Sequence, residues 1–320
     1  MAENSKFSTE KPSEIHSYTA PLTSEQAAKL RNVLEEHGFD FEKKPYTLYC
    51  AKKAKLGVAV YEKGPKVLLQ GKGIEEFITF ILEPEVLGVA TFGYEEELQP
   101  ERFAPHFGID ETGKGDFFGP LIIAGVYVDA ELARRYRELG IADSKSIGTD
   151  ARIRALAQKI RKSGAPQTII TILPSRYNEL YTTIGNVNRL LAWGHARAIE
   201  NLCDLCPNCP SALSDQFANP ALLQKSLLTK GKKIELRQQT KAESDPAVAA
   251  ASILAREKLI DWFDAAAKQH GEKMPYPRGA SAQVKKRAVE LVLARGADFL
   301  PQVAKMHFKT SKEVLKMAGV

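Results

Sequence analysis

Two different orders of apolar periodicity meet near residue 100, and this change of order restricts the possible folds more than any other feature of the chain. Before it, helical spacing in "TSEQAAKLRNVLEEHG" gives way to three short runs, "YTLYCA", "LGVAVYE" and "KVLLQG", and then returns in "IEEFITFILEPEVLG". Short apolar, β-branched runs bounded by Lys-rich and Gly-Pro turns are strands. The first unit is therefore α-β-β-β-α, with Thr23 or Ser24 placed to cap its first helix and Gly38 to end it. After the change, the β-type runs "HFGID", "LIIAGVYVD" and "QTIITILP" read as three strands in succession. Helical patterns in "ARIRALAQKIRKSG" and "NRLLAWGHARAIENL" then alternate with the strands "PSALSDQF" and "KKIELRQQ". A long helix over "DPAVAAASILAREKLIDWFDAAAKQHG" follows, with Ser244 able to cap it and Pro246 suited to its first turn. The order β-β-β-α-β-α-β-α describes a mixed α/β sheet with helices on its faces.

The resulting plan has four parts. Residues 1–20 lack periodicity and are rich in Ser, Thr, Glu and Lys, as in a disordered tail; 21–95 form the small unit. Residues 96–104, from a stretch with an acid run and prolines, form a linker, and 105–320 form the larger domain. A length of 320 residues with 44% hydrophobic content suits about two domains. No apolar run nears the roughly 18 residues of a membrane helix, and the polar, acid-bearing start is unlike a signal peptide, so a cytoplasmic protein is expected. Four cysteines, three of them inside "CDLCPNC", do not resemble a secreted disulfide framework.

Charge is unevenly spread. The first 100 residues carry 12 of the 45 basic and 16 of the 39 acidic residues, which leaves the remainder basic. Within the acidic part lies a basic island: eight lysines and the single acid Glu62 between Lys43 and Lys72, interleaved with Tyr46, Tyr49 and Tyr61. Lysines alternating with tyrosines suit either a solvated sheet face or a surface that tracks phosphates and sugars. Lys52, Lys53 and Lys55 are its central candidates for substrate contact.

The acids carry the chemistry. Asp110 and Glu111 stand side by side where the run "HFGID" ends in "ETGKGDFFGP". Neighbouring strand residues point to opposite faces, so the two could share a ligand only where the backbone turns sharply, and glycines permit such a turn. Asp215 closes another apolar strand, and Glu243 stands between a strand and the alanine-rich helix. Four acids at the ends of adjacent strands repel one another in a partly dry cleft unless cations intervene. Carboxylate oxygens without histidine or thiolate suit Mg²⁺ or Mn²⁺, and two such ions can clamp the attacking water and leaving oxygen of a phosphodiester.

The blocks "GIDETGKGDFFGP", "DSKSI", "LPSRYNELY", "NRLLAWGHARAIENL", "DQF", "KAESDPAVAAASILARE" and "AKMHFKTSKEVL", in order from about residue 105, resemble a bacterial type 2 ribonuclease H of the ribonuclease HIII subclass. The resemblance implies an RNase H-like mixed sheet flanked by helices. It also implies that the N-terminal α+β unit is a substrate-binding domain similar to half of the TATA-binding protein. It places the family's acidic quartet, as catalytic and metal-binding residues, on Asp110, Glu111, Asp215 and Glu243; the sister HII subclass has aspartate at the fourth position. It further implies two-metal hydrolysis of the RNA strand of RNA/DNA hybrids, leaving 5′-phosphate and 3′-hydroxyl ends. Gly113, Lys114 and Gly115 would meet the RNA strand, with Ser144 and Lys145 as further contacts. A monomer is expected. Two other readings stay open: cleavage at single ribonucleotides in DNA, and non-catalytic binding of hybrids.

Several residues are set aside. Cys203, Cys206 and Cys209 have CxxCxxC spacing but no fourth cysteine follows. His195 and Trp193 are assigned to packing and polar satisfaction, Asp116 to a solvated turn. His307 is left between a role near the site and a structural one.

Overall fold

The computed structural model describes residues 15, 17–89, 94–141, 147–273 and 275–320. The chain divides into two compact units, residues 1–101 and 102–320. Among the described residues, no helix is long and apolar enough to cross a membrane.

Among its described residues the first unit holds an antiparallel sheet of five strands: β1 (Ser17–Pro21), β2 (Asp40–Glu42), β3 (Thr47–Lys53), β4 (Leu56–Tyr61) and β5 (Lys66–Gly71). Their order is β1-β5-β4-β3-β2. The helix Ser24–Glu36 is closed at its start by a capping box in which the Gln26 amide donates to Thr23 Oγ1 and the Thr23 amide donates to Gln26 Oε1. Of the two proposed caps, Thr23 is the one used. The helix buries Leu30 and Leu34 against Val58, Val60, Val67 and Leu69 of the sheet. Residues 74–87 continue helically, but from Ile78 to Leu87 the turn widens to a π-helix that contains Pro84. Proline supplies no N–H for an α ladder, and the wider turn accommodates it.

Two of the five strands were not expected. Residues 17–20 were assigned to a disordered tail, yet they belong to β1, which pairs with β5 from Ser17↔Gln70 to Pro21↔Lys66. β1 is an edge strand of mostly polar sequence, and its order comes from the backbone of β5 rather than from a periodicity of its own.

The second unit is a mixed sheet in the order β10-β9-β6-β7-β8. Its strands are β6 (His106–Thr112), β7 (Leu121–Val128), β8 (Gln167–Ile172), β9 (Ser211–Asp215) and β10 (Glu235–Gln239). β6, β7 and β8 pair antiparallel, whereas β9 runs parallel to both β6 and β10. The expected succession of three strands needs correction, because helices Ala130–Glu138 and Asp150–Lys162 separate β7 from β8.

Period-two alternation divides β7 between two helical layers. Ile122, Ala124 and Val126 pack with the long helix Pro246–Gln269, while Leu121 and Ile123 pack with the helix Val187–Leu205 on the other face. The long helix is capped by Asp245, which accepts from the Ala247 and Val248 amides, and not by Ser244. Pro246 occupies the first turn as expected. Asp245 also meets the buried His106 ring, with both carboxylate oxygens 3.0 Å from Nε2, so the start of this helix is tied to the start of β6.

Gly108 lets β6 and the long helix touch backbone to backbone. A Cβ there would lie 2.2 Å from both the Ala247 carbonyl carbon and the Val248 nitrogen. Gly108→Ala must therefore push the helix off the strand. The variant is expected to lose about 3 kcal/mol or more of stability, the upper range for overpacking, as measured by denaturant midpoint at unchanged slope. A loss below about 0.5 kcal/mol would show that the helix can move without penalty.

Candidate active site

The strand parity that places Gly108 against the long helix also decides where the two adjacent acids go. Asp110, two residues on, faces the same helix and accepts a hydrogen bond from Ser252. Glu111 leaves the other face of β6 and meets His195 of the helix Val187–Leu205, with its Oε2 3.1 Å from Nε2. No sharp turn reunites them within the strand, since β6 continues to Thr112 in register with β7. The turn comes at Gly113, whose φ of +86° and 2.2 Å separation of a hypothetical Cβ from Pro120 O exclude other residues.

Asp215 reaches the same place from the neighbouring parallel strand, where Ser214 of β9 pairs with Ile109 of β6. A cavity of about 410 Å³ opens there, lined by Asp110, Glu111, Asp215, the Gly113–Lys114–Gly115 stretch, Asp116, Ser252 and Arg256, among others. Glu243 does not line it. It lies on the short turn Ala242–Ser244 beside Asp215, whose Oδ1 accepts from the Ala242 amide at 3.0 Å. Ser144 and Lys145 lie outside the described residues.

The electrostatics of this cavity are unfavourable for bare charges. Burial, and then the neighbouring Glu111 and Asp215, push the Asp110 carboxyl up to about 7 against hydrogen bonds from Ser252 and the Glu111 amide. Such a carboxyl is poised to exchange its proton for a cation. The donors are carboxylate oxygens, the chemistry of a hard dication. Among the described residues no three His, Cys, Asp or Glu side chains are grouped closely enough to hold a metal ion as they stand. Asp110 Oδ1 accepts from the Glu111 amide, Glu111 Oε2 meets His195, and Asp215 Oδ1 accepts from the Ala242 amide. The residues fit a divalent ion in chemistry, and side-chain movement has to complete the grouping.

The loop after Gly113 is fastened from outside. Asp116, assigned above to a solvated turn, instead accepts from the Gly279 amide at 2.5 Å, and the Phe117 amide donates to Gly279 O. Lys305 is fully buried and donates to the carbonyl of Gly119 at 2.5 Å. Burial pulls its ammonium down to about 7. Lys114 projects over the Phe217 ring.

The residues set aside on sequence divide in two. His307 stacks on Tyr181 at 4.7 Å and lies tilted beside Tyr177 at 5.3 Å, and burial lowers it to about 4; it does not line the cavity. Cys203 and Cys209 are buried in the core, all four cysteines are free, and burial raises the Cys209 thiol to about 11. His195, assigned to packing and polar satisfaction, is buried and has Glu111 as one of its polar partners. Ser252 and Arg256 were not singled out. Their signal was present: a serine in an alanine-rich buried helix, with an arginine four residues on and so on the same face.

The family described as Ribonuclease HII matches residues 107–311. Ribonuclease HIII of Protochlamydia amoebophila is 40% identical over 307 residues, 96% of this chain and 99% of that protein. The chain belongs to the ribonuclease HIII family. Ribonuclease HIII of Chlamydia trachomatis serovar L2 is 42% identical over 93% of this chain and 97% of its own. Among solved structures, Bst-RNase HIII in complex with Mn²⁺ superposes with a TM-score of 0.65 at 26% identity, covering 94% of this chain and 99% of that one. Family membership agrees with the mixed sheet and the preceding small sheet unit.

In the presence of chelator an ionised Asp110 destabilises the fold. Its folded value exceeds that of the unfolded chain, so its favourable contribution is whole below the unfolded value and is lost as pH rises through about 7. Asp110→Asn, which cannot ionise, is expected to melt higher than the parent at about pH 8 in chelator, by on the order of a few kcal/mol. The advantage shrinks as pH falls toward about 4. Thermal melts across this range test it, and an advantage that does not vary with pH would remove the charge-based account.

Proposed function

We propose that this chain is a divalent-metal-dependent endonuclease that hydrolyses the RNA strand of RNA/DNA hybrids in the Asp110 cavity. The observation that carries the reading is the convergence, in one cavity, of Asp110, Glu111 and Asp215 with the Gly113–Lys114–Gly115 loop. A related protein of the same family, Bst-RNase HIII, binds Mn²⁺. Asp110, Glu111, Asp215 and, after movement toward Asp215, Glu243 would hold Mg²⁺ or Mn²⁺, with two ions in the active complex. When bound, the ions supply Lewis acidity that makes water more nucleophilic and offsets charge on the phosphate.

The chain's own residues do the rest. Asp110 gives up its proton on loading. Lys114 and Arg256 both line the cavity and bring positive charge to a bound phosphate. Gly113 and Gly115 keep side chains out of the way, and a Cβ at Gly115 would meet nothing within 4 Å, so backbone amides and carbonyls can approach the 2′-hydroxyls that distinguish RNA. Loop attachments at Gly279 and Lys305 hold this approach in place. The protein acts as a monomer in the cytoplasm; the four free cysteines support the compartment alone.

The small N-terminal unit contributes binding through its basic sheet. Its three candidate lysines do different things. Lys53 shares the face of β3 that buries Tyr49 and Ala51, and its Nζ donates to the His37 carbonyl at 2.6 Å, at the end of the first helix. Lys52 points from the opposite face, and Lys55 sits in the β3–β4 turn.

Two outcomes test the proposal. Asp110→Asn is expected to abolish cleavage of a continuous hybrid under both Mg²⁺ and Mn²⁺ while leaving gel retardation of the hybrid largely intact, and retained turnover would overturn the site. In the same assay a duplex with a single ribonucleotide should be cut poorly; preferential cutting there would assign the sister activity. Separately, Lys52→Ala with Lys55→Ala should reduce the slope of log affinity against log salt by about two. Lys53→Ala should leave that slope alone and lower thermal stability by about 0.5–1 kcal/mol. Equal slopes in all variants would make the basic island a solvated face.

A further inference from the structure

His195 has 0% exposure and lies at a junction that the quartet alone does not explain. Its Nδ1 is 2.9 Å from Ser214 Oγ and its Nε2 is 3.1 Å from Glu111 Oε2. Ser214 Oγ donates to the Asp215 carbonyl at 3.0 Å, so its hydrogen is committed there and the oxygen accepts from His195 Nδ1. A hydrogen must also lie between Nε2 and Oε2, since two lone pairs at that distance would repel. The ring is closed in by Phe217, whose centroid is 4.7 Å away and which also lies beneath Lys114. One imidazole thus links the Glu111 carboxylate on β6 to the Ser214–Asp215 end of β9, and its bond uses only one of the two Glu111 oxygens.

We propose that His195 is a positioning residue for the metal-dependent reaction: anchored by Ser214, it holds the Glu111 carboxylate so that its other oxygen faces the cation. The proposal rests on the reading of Glu111 as a metal ligand. Carboxylates that bind metal are commonly held by such outer partners, and losing one typically costs 10–100-fold in metal affinity or activity. His195 touches neither substrate nor reacting atoms, and its effect passes entirely through Glu111. A purely structural role would predict lost stability in a variant without a specific change in metal binding.

The test is direct Mn²⁺ binding to the full chain, followed by the electron paramagnetic resonance signal of free Mn²⁺, alongside melting temperature and turnover against Mn²⁺ concentration. His195→Asn is too short to reach Glu111 and should weaken Mn²⁺ binding about 10–100-fold, with turnover recovering at high Mn²⁺. His195→Gln can carry an amide to the position of Nε2 and should regain part of that loss. Ser214→Ala, which removes only the anchor, should shift binding in the same direction by less. Glu111→Gln serves as the reference. If it weakens Mn²⁺ binding while folded His195→Asn binds as the parent does, the positioning role is wrong and the ligand assignment stands; if Glu111→Gln itself binds normally, the underlying reading fails. Should His195→Asn not fold, parental Mn²⁺ binding by both His195→Gln and Ser214→Ala would overturn the proposal.

Discussion

The contact between the backbones of β6 and the long helix at Gly108 organises the catalytic unit. With no side chain at 108, the strand lies directly on Ala247 and Val248, and strand parity then sends Asp110 toward Ser252 and Glu111 toward His195. The buried His106–Asp245 pair secures the same contact two residues earlier on each element, because Asp245 caps the helix while it holds the ring at the start of β6. A register slip of one residue in β6 would exchange the faces of Asp110 and Glu111 and separate both from their partners.

This arrangement places like charges where water is scarce. The raised Asp110 carboxyl reflects that cost, with burial its largest single cause. The scaffold tolerates that cost because the surrounding layers are densely apolar, with Ile109, Ile122, Ala124, Ala250 and Ala251 all fully buried. Strands supply three of the acids, and the two flanking helices supply Ser252 for Asp110 and His195 for Glu111. The loop from Gly113 is irregular only where it lines the cavity, and Gly279 and Lys305 fasten it to later parts of the chain.

Local signals explain why parts of the fold were readable in advance. Thr23 and Gln26 stand three residues apart before an apolar run, and the capping box forms there because both partners are adjacent in sequence. β6, β7 and β9 carry enough apolar residues to announce themselves. β1 does not, and it becomes a strand only because β5 offers an unpaired edge. Ser244 and Asp245 are both sound caps on residue type, and His106, 139 positions away, favours Asp245. Lys52 and Lys53 are equivalent in composition, yet pleat parity sends one to the open face and the other to a helix end.

The sequence by itself determined most of the kinds of element and named the candidate acids, since periodicity, turn chemistry and family resemblance are carried by neighbouring residues. Tertiary structure alone decided which carboxylates share the cavity, which histidine stands behind them, and that Asp116 is a tether instead of a solvated acid. Those facts depend on contacts between residues 84 to 163 positions apart, and no local pattern encodes the distance between two points so remote along the chain.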